Sequence, residues 1–358
     1  MNQRININNT QNRVKITTGA RLHMGFYDLT NGAHQFAGMG LSIDAPSTVI
    51  ELQLRPVNVP ATLENDAVTV VQKNDSNSAY STNTATTKIV ENVFKKFKIA
   101  FNIDQQLTVN IAQTIPAHIG LGSGTQLALA IGAGLNQLLN LQLSVGQIAS
   151  FCNRGNRSGI GTAAFAQGGF LVDAGKVNTN QENTNQENTI NVENAINNIA
   201  YRQDFPTDWR ILLISDSAHI GVHGEIEMQA FQRLKPAVNH LHSTVLNHML
   251  PALKRGDLLS FGAYMQDIQA YNGHYFASVQ GGQYASHDVA DVLHWLQQNG
   301  AACVGQSSWG PTGFAVLDSV SLAQSLQLKA QQAFATNPNI GLQICRGKNT
   351  GALLIAND

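Results

Sequence analysis

Charge is scarce in this chain. Asp, Glu, Lys and Arg make up 13% of its 358 residues, about half the ~25% usual for soluble domains. The 22 basic and 23 acidic side chains nearly cancel, leaving a formal net charge of −1. No dense run of Lys and Arg appears, so the electrostatic footprint of a nucleic-acid or anionic-lipid binder is missing. A local basic pocket for a phosphorylated small molecule stays open. Cysteine is sparse as well: Cys152, Cys303 and Cys345 are odd in number and far apart, and no C-x-x-C pair exists. That argues against a zinc ribbon or dithiol redox motif and for buried, reduced thiols. No apolar run nears the ~18 residues of a membrane span, and "MNQRININNTQN" has no signal-peptide core. The expectation is a cytoplasmic protein with neither a nucleic-acid nor a membrane partner.

What is present is enough to fold. The hydrophobic fraction of 43% supplies a sizeable core, and the length favours two domains. Residues 13 to 55 are rich in strand signals, with "STVIELQLR" alternating at period two. In "TATTKIVENVFKKFKIAF" the period changes, and Ile89, Val90, Val93, Phe94 and Phe97 share one helical face. "QLTVNIAQTI" returns to strand, Thr125 to Leu139 reads as a helix, and so do "SVGQIASFCNRG" and "IGTAAFAQ". "GGFLVDAG" is then a strand. "NTNQENTNQENTINVENAINN" carries an NTNQE repeat and almost no large apolar residue, so it cannot offset its ordering entropy. Beyond it come the strand "WRILLISD" and helical patterns from 224 to 247, 257 to 276 and 288 to 298. The strand–loop–strand "ACVGQSSWGPTGFAVLD", a last helix and the strand "GLQICR" complete the reading. Without strict β-α alternation, the chain reads as α+β, divided into residues 1–176, a flexible insertion at 177–198, and residues 199–358.

The chemistry concentrates in "IPAHIGLGSGTQLALAIGAGL", residues 115 to 135. A strand, a glycine-rich turn and a helix make an anion site, because glycines let the backbone close on a ligand while helix N-terminal amides point at it. Ser123 and Thr125 add hydroxyls that can reach a bound Mg²⁺. No lysine follows the glycines, so this is no Walker loop, and the spacing misses the dinucleotide fingerprint. A turn that merely lets a helix pack tightly is the plain alternative.

"PAHIGLGSGTQLALA" resembles the P-x-x-x-G-L-G-S-S-A-A motif of the GHMP family of small-molecule kinases. "SGIGTAAFAQGG" is similar to their S-G-I-D-x-x-A segment, and "GQSSWGPTGFAV" sits where they carry a third glycine-rich motif. The resemblance implies an N-terminal domain like ribosomal protein S5 domain 2 and a C-terminal ferredoxin-like domain. Where those kinases place a catalytic aspartate after S-G-I, this chain has Gly161, which can neither take a proton nor orient a hydroxyl.

A narrower likeness accounts for that loss. "ARLHMGFYDL", "NRSGIGTAAFAQGGFLVDAG", "HGEIEMQAF" and "GQSSWGPT" together resemble the β-ribofuranosylaminobenzene 5′-phosphate synthase family, a GHMP-fold family of methanopterin biosynthesis. Its members join phosphoribosyl pyrophosphate to a para-substituted benzoate and release pyrophosphate and CO2. The nucleophile there is a ring carbon, so no hydroxyl nucleophile needs a base. The resemblance implies a pyrophosphate grip by Gly120, Gly122, Ser123, Gly124 and Thr125 with Mg²⁺ as cofactor. Arg154 and Arg157 are either a bidentate phosphate clamp or ordinary surface charges. Arg21 and His23 alternate on one strand and so face one side, as a basic pair for an anion or as one strand's polar face. Glu225 is a candidate to stabilise an oxocarbenium-like C1′, or a first-turn helix acid. His223 is a candidate substrate contact. His219 and His223 do not read as a zinc pair, because Gly221 interrupts the helix. His240, His242 and His248 read as structural. Ser307, Ser308 and Gly310 sit at a loop tip suited to ligand contact, and Trp309 either stacks on an aromatic substrate or packs a corner. A true ATP-dependent GHMP kinase and a catalytically silent binding protein are the rival readings, and a homodimer is a further expectation.

Overall fold

The computed structural model describes residues 12–29, 34–35, 37–56, 68–72, 83–155, 158–177, 199–222, 229–230 and 241–357. The Asn-rich segment, Arg157, His223, Glu225 and His240 lie outside those residues.

The chain opens with a long strand, β1 (Arg13–Asp28), which pairs antiparallel with β3 (Ala37–Arg55). Gly19 and Gly25 sit beside register shifts at Gly19/Ala20 and His23/Gly25, so the strand bends without ending. Two-residue strands β2 (His34–Gln35) and β7 (Lys176–Val177) pair with each other apart from the main sheet. β4 (Val68–Gln72), β5 (Gln106–Gln113), β6 (Phe170–Asp173), β8 (Ile199–Gln203) and β13 (Leu353–Asn357) complete a seven-stranded sheet. Its path runs β13-β1-β3-β5-β4, with β6 pairing β3 and β8. One face is covered by α1 (Asn83–Phe101), α2 (Ser123–Leu138) and α3 (Val145–Phe151). Ile16, Leu52, Phe94, Phe97, Val109 and Leu135 form the core between them. The helical face predicted for α1 is the one buried: Val90, Val93, Phe94 and Phe97 belong to this core, with Ile89 packed against it. α3 is started by Ser144, whose side chain accepts from the Gln147 amide while Gln147 closes the capping box. α4 (Ile160–Gln167) has the bounds of "IGTAAFAQ".

The second sheet is antiparallel, in the order β10-β11-β9-β12. Its strands are β9 (Arg210–Asp216), β10 (Cys303–Gln306), β11 (Gly313–Leu317) and β12 (Ile340–Cys345). Between β9 and β10 a helical stretch runs as α5 (Leu241–Thr244), a π-helical turn (Val245–Met249) and α6 (Leu250–Arg255), followed by α7 (Leu258–Gln280) and α8 (His287–Gln298). α9 (Val320–Ala333) joins β11 to β12. The βαββαβ order with β9 and β11 central is the ferredoxin-like arrangement that the GHMP resemblance implied. Val289, Leu293, Leu296 and Leu326 pack this sheet from one side. A larger core of Leu22, Met24, Met39, Phe170, Phe261 and Phe314 fuses the two halves. The sheets do not divide the chain at residue 199, since β8 and β13 both join the first.

Cys152, Cys303 and Cys345 are buried free thiols, and burial pushes Cys152 and Cys303 up to about 12. The His242 ring lies 5.6 Å from Tyr27, and His248 stacks on Tyr264. Among the described residues, no helix is long and apolar enough to cross a membrane.

Candidate active site

β5 runs into the glycine turn, and α2 begins directly after it. Gly122 caps α2 with φ 74°, and Gly120 has φ 83°. Both lie in the left-handed region that favours glycine. Space also demands glycine: a Cβ at Gly120 would collide with the Ser307 carbonyl, and one at Gly122 would lie 3.2 Å from Arg21 Nε. The first amides of α2, at Ser123 and Gly124, have no acceptor within their own helix and point out of its N-terminus.

Three segments converge on this turn. The Arg21 amide donates to the Leu121 carbonyl at 3.0 Å, and Arg21 Nη1 donates to the Gly120 carbonyl at 3.3 Å. The tip between β10 and β11 is tied to β1, with the Ser308 amide donating to the His23 carbonyl at 3.1 Å. Ser307 Oγ donates to the Gly120 carbonyl at 2.8 Å and accepts from the His23 amide at 3.0 Å. The Gly221 amide donates to the His118 carbonyl at 2.9 Å, and Gly221 packs so closely on the Gly310 carbonyl that no side chain fits.

The cavity between these segments is about 380 Å³. Arg21, Arg154 and every predicted loop residue, Gly120, Gly122, Ser123, Gly124 and Thr125, line it, as do Ser308, Trp309 and Gly310. A Cβ on Gly124 would lie 3.7 Å from an Arg154 guanidinium nitrogen, so Arg154 overhangs the start of α2. Arg154 Nε is buried without a hydrogen-bond partner, and burial lowers the pKa of its guanidinium. An unpaired half-buried cation at a helix N-terminus is arranged for an anion. No Asp or Glu lines the cavity among the described residues. At Gly161, where the resemblance places the kinase base, a Cβ would sit 3.1 Å from the Thr125 methyl, so a side chain there would need Thr125 to give way slightly.

The structure places other candidates differently. Ser307 is fully buried and braces the turn; it does not line the cavity. His23 does not join Arg21 in the cavity. It lines a second space of about 20 Å³, beside Phe26, Asn272 and Gln306. Its burial, followed by the nearby Arg21 charge, lowers its pKa to about 3, so it is a neutral imidazole. The predicted basic pair is therefore one cation and one neutral ring. Its alternation on β1 was readable, but its burial depends on α7, which lies far along the chain. Trp309 is buried with its ring 4.5 Å from Phe276, a packed corner that also walls the cavity. His219 pairs with Asp216 at 2.6 Å, and no metal-holding cluster occurs among the described residues.

The sequence reading passed over His118, Thr48, Thr86 and Thr114, all of which line the cavity. His118 had a usable signal, since it sits within "PAHIGLGSG" and the backbone there must turn.

Comparison with known proteins fits this geometry. The GHMP kinase N-terminal domain family matches residues 86–169, and the GHMP kinase C-terminal family matches residues 249–336. A homoserine kinase structure from Cytophaga hutchinsonii superposes with a TM-score of 0.62 at 15% identity, covering 98% of this chain and 99% of that one. The beta-ribofuranosylphenol 5′-phosphate synthase of Archaeoglobus fulgidus is 30% identical, over 86% of this chain and 88% of that protein. The protein of the same name from Methanocaldococcus jannaschii is 30% identical, over 85% and 89% respectively. On a GHMP kinase fold, the chain belongs to the beta-ribofuranosylphenol 5′-phosphate synthase family.

Proposed function

We propose that this protein is a decarboxylating phosphoribosyl transferase of tetrahydromethanopterin biosynthesis, joining phosphoribosyl pyrophosphate to 4-hydroxybenzoate and releasing pyrophosphate and CO2. The observation that carries the reading is the cavity's polarity. Two guanidiniums from separate elements and the N-terminus of α2 converge on it, and no described carboxylate faces them. Such a site takes a polyanion. It has no group for activating an alcohol at the kinase position, but a carbon nucleophile does not need one. The phenol in the names of its relatives favours the hydroxy over the amino acid as acceptor.

In this reading the turn amides and Arg154 hold the departing pyrophosphate. Arg21 neutralises charge beside Gly122, and the apolar wall of Ile115, Val222 and Trp309 receives the ring. Ser123 and Thr125 offer only two hydroxyls, a set that fits Mg²⁺ brought in on the donor's phosphates and does not make a protein cage. Bound there, Mg²⁺ supplies charge neutralisation to the leaving group.

The test uses protein, Mg²⁺, phosphoribosyl pyrophosphate and carboxyl-labelled 4-hydroxybenzoate or 4-aminobenzoate. Release of labelled CO2 that requires the donor is expected, faster with the hydroxy acid. No release with either acid, together with ATP-dependent phosphorylation of an alcohol, would return the chain to the kinases.

A further inference from the structure

The transferase reading leaves one proton unassigned. For a phenolic acid to attack through the ring carbon that bears its carboxylate, electrons must flow from the para oxygen. That flow is far stronger once the hydroxyl proton is gone. With the arginines fully protonated, and with no Asp, Glu, Lys, Cys or Tyr on the described wall, His118 is the described lining residue able to accept a proton near neutrality.

Its place suits the task. Arg21 and Arg154 stand beside Gly122 and Gly124, at the end where α2 begins. His118 lines the same cavity, two residues before Gly120. Its carbonyl is clamped by the Gly221 amide, Gly221 rests on the Gly310 carbonyl, and Val222 and Trp309 add apolar wall. The backbone of His118 is held at φ 61°, a left-handed conformation uncommon outside glycine. His118 is therefore tied to the part of the wall formed by Gly221, Val222 and Trp309, where the acceptor ring is received in the reading above.

We propose that His118 is the general base that takes the para-hydroxyl proton of the acceptor, an assignment that rests on the transferase reading above. The imidazole accepts the proton as the ring carbon bonds to ribose C1′ and the bond from C1′ to the pyrophosphate oxygen breaks. The ring is then a neutral dienone still carrying the carboxylate. Loss of CO2 returns its bonding pair to the ring and restores aromaticity as a phenolate, and the imidazolium gives the proton back to that oxygen. A para-amino acceptor needs no such base, because the neutral nitrogen lone pair drives the same attack and decarboxylation discharges the resulting iminium.

The experiment compares the two acceptors in the full-length protein and in His118→Asn, chosen because Asn tolerates the left-handed backbone, with His118→Gln as a second variant. Both are checked for a wild-type thermal melt. The ratio of kcat/KM for 4-hydroxybenzoate to that for 4-aminobenzoate is expected to fall about 10²-fold or more, the usual scale of general-base catalysis. A ring-fluorinated 4-hydroxybenzoate, already ionised at the assay pH, is expected to regain much of the lost rate in the variants. An unchanged ratio in folded variants, or a fluorinated acid that rescues nothing, overturns His118 as the base. Wild-type protein that releases CO2 from neither acid overturns instead the transferase reading on which the base depends.

Discussion

Two side chains show how far burial sets chemistry in this site. Arg154 carries a charge that burial disfavours, and no described carboxylate offsets it. Removing that charge should cost function and spare the fold. Arg154→Gln is expected to raise the KM for phosphoribosyl pyrophosphate about 10- to 100-fold, the loss of one charge-assisted contact. The apo protein should melt no lower than wild type; a melt several degrees lower would mean that Arg154 holds the fold. His23 is the opposite case, a titratable group kept neutral with its pKa near 3. An unfolded histidine binds its proton near pH 6.5, so the folded state binds fewer protons between those values. Stability is therefore flat above about pH 6.5 and falls as pH drops toward 3, by about 3 kcal/mol at pH 4.5. His23→Gln should remove that part of the slope in urea titrations at pH 7, 5.5 and 4.5. Parallel curves for the two proteins would show that His23 takes up its proton in the fold as readily as in the unfolded chain.

At the scale of elements, the glycine turn is held from outside by the β10–β11 tip. Ser307 is the brace, donating to the Gly120 carbonyl and accepting from the His23 amide. Ser307→Ala leaves a buried amide without its acceptor, at a cost of about 1–3 kcal/mol in urea unfolding. The same change should raise the donor KM several-fold, whereas a variant that only lost stability would bind the donor normally at a temperature where it stays folded. Much at this scale was legible beforehand. "IGTAAFAQ" supplied the bounds of α4, and "QLTVNIAQTI" led through the turn into α2, because period and glycine are local signals. The role of Ser307 was not legible. A serine at a strand–loop–strand tip reads as a ligand contact, and only the packing of β1 against that tip, from the far end of the sequence, shows it turned inward. The burial of His23 escaped for the same reason, and so did the neighbourhood of His118.

At the scale of the whole molecule, the α+β class followed from the order of helices and strands, and the ferredoxin-like half from the resemblance to the GHMP family. The closing strand did not. In β13, Leu353 and Ile355 are exposed while Leu354 packs on the core, so apolar residues on both faces hide the alternation. That strand covers the edge of β1 from Arg13 to Thr17. Ending the chain after Gly351 would remove a ladder and a packed leucine, and is expected to lower unfolding free energy by roughly 3–5 kcal/mol. A truncated protein with wild-type stability would show that β1 needs no cover.

The pairing of β13 with β1 also sets a schedule for synthesis. β1 leaves the ribosome long before β13, and it supplies Arg21 and the anchors for both loops of the site. The sheet that carries the site therefore waits, with an open edge, until β13 has been made. A stalled or prematurely terminated chain keeps that edge exposed, and an exposed edge is what chaperones shield and aggregation exploits.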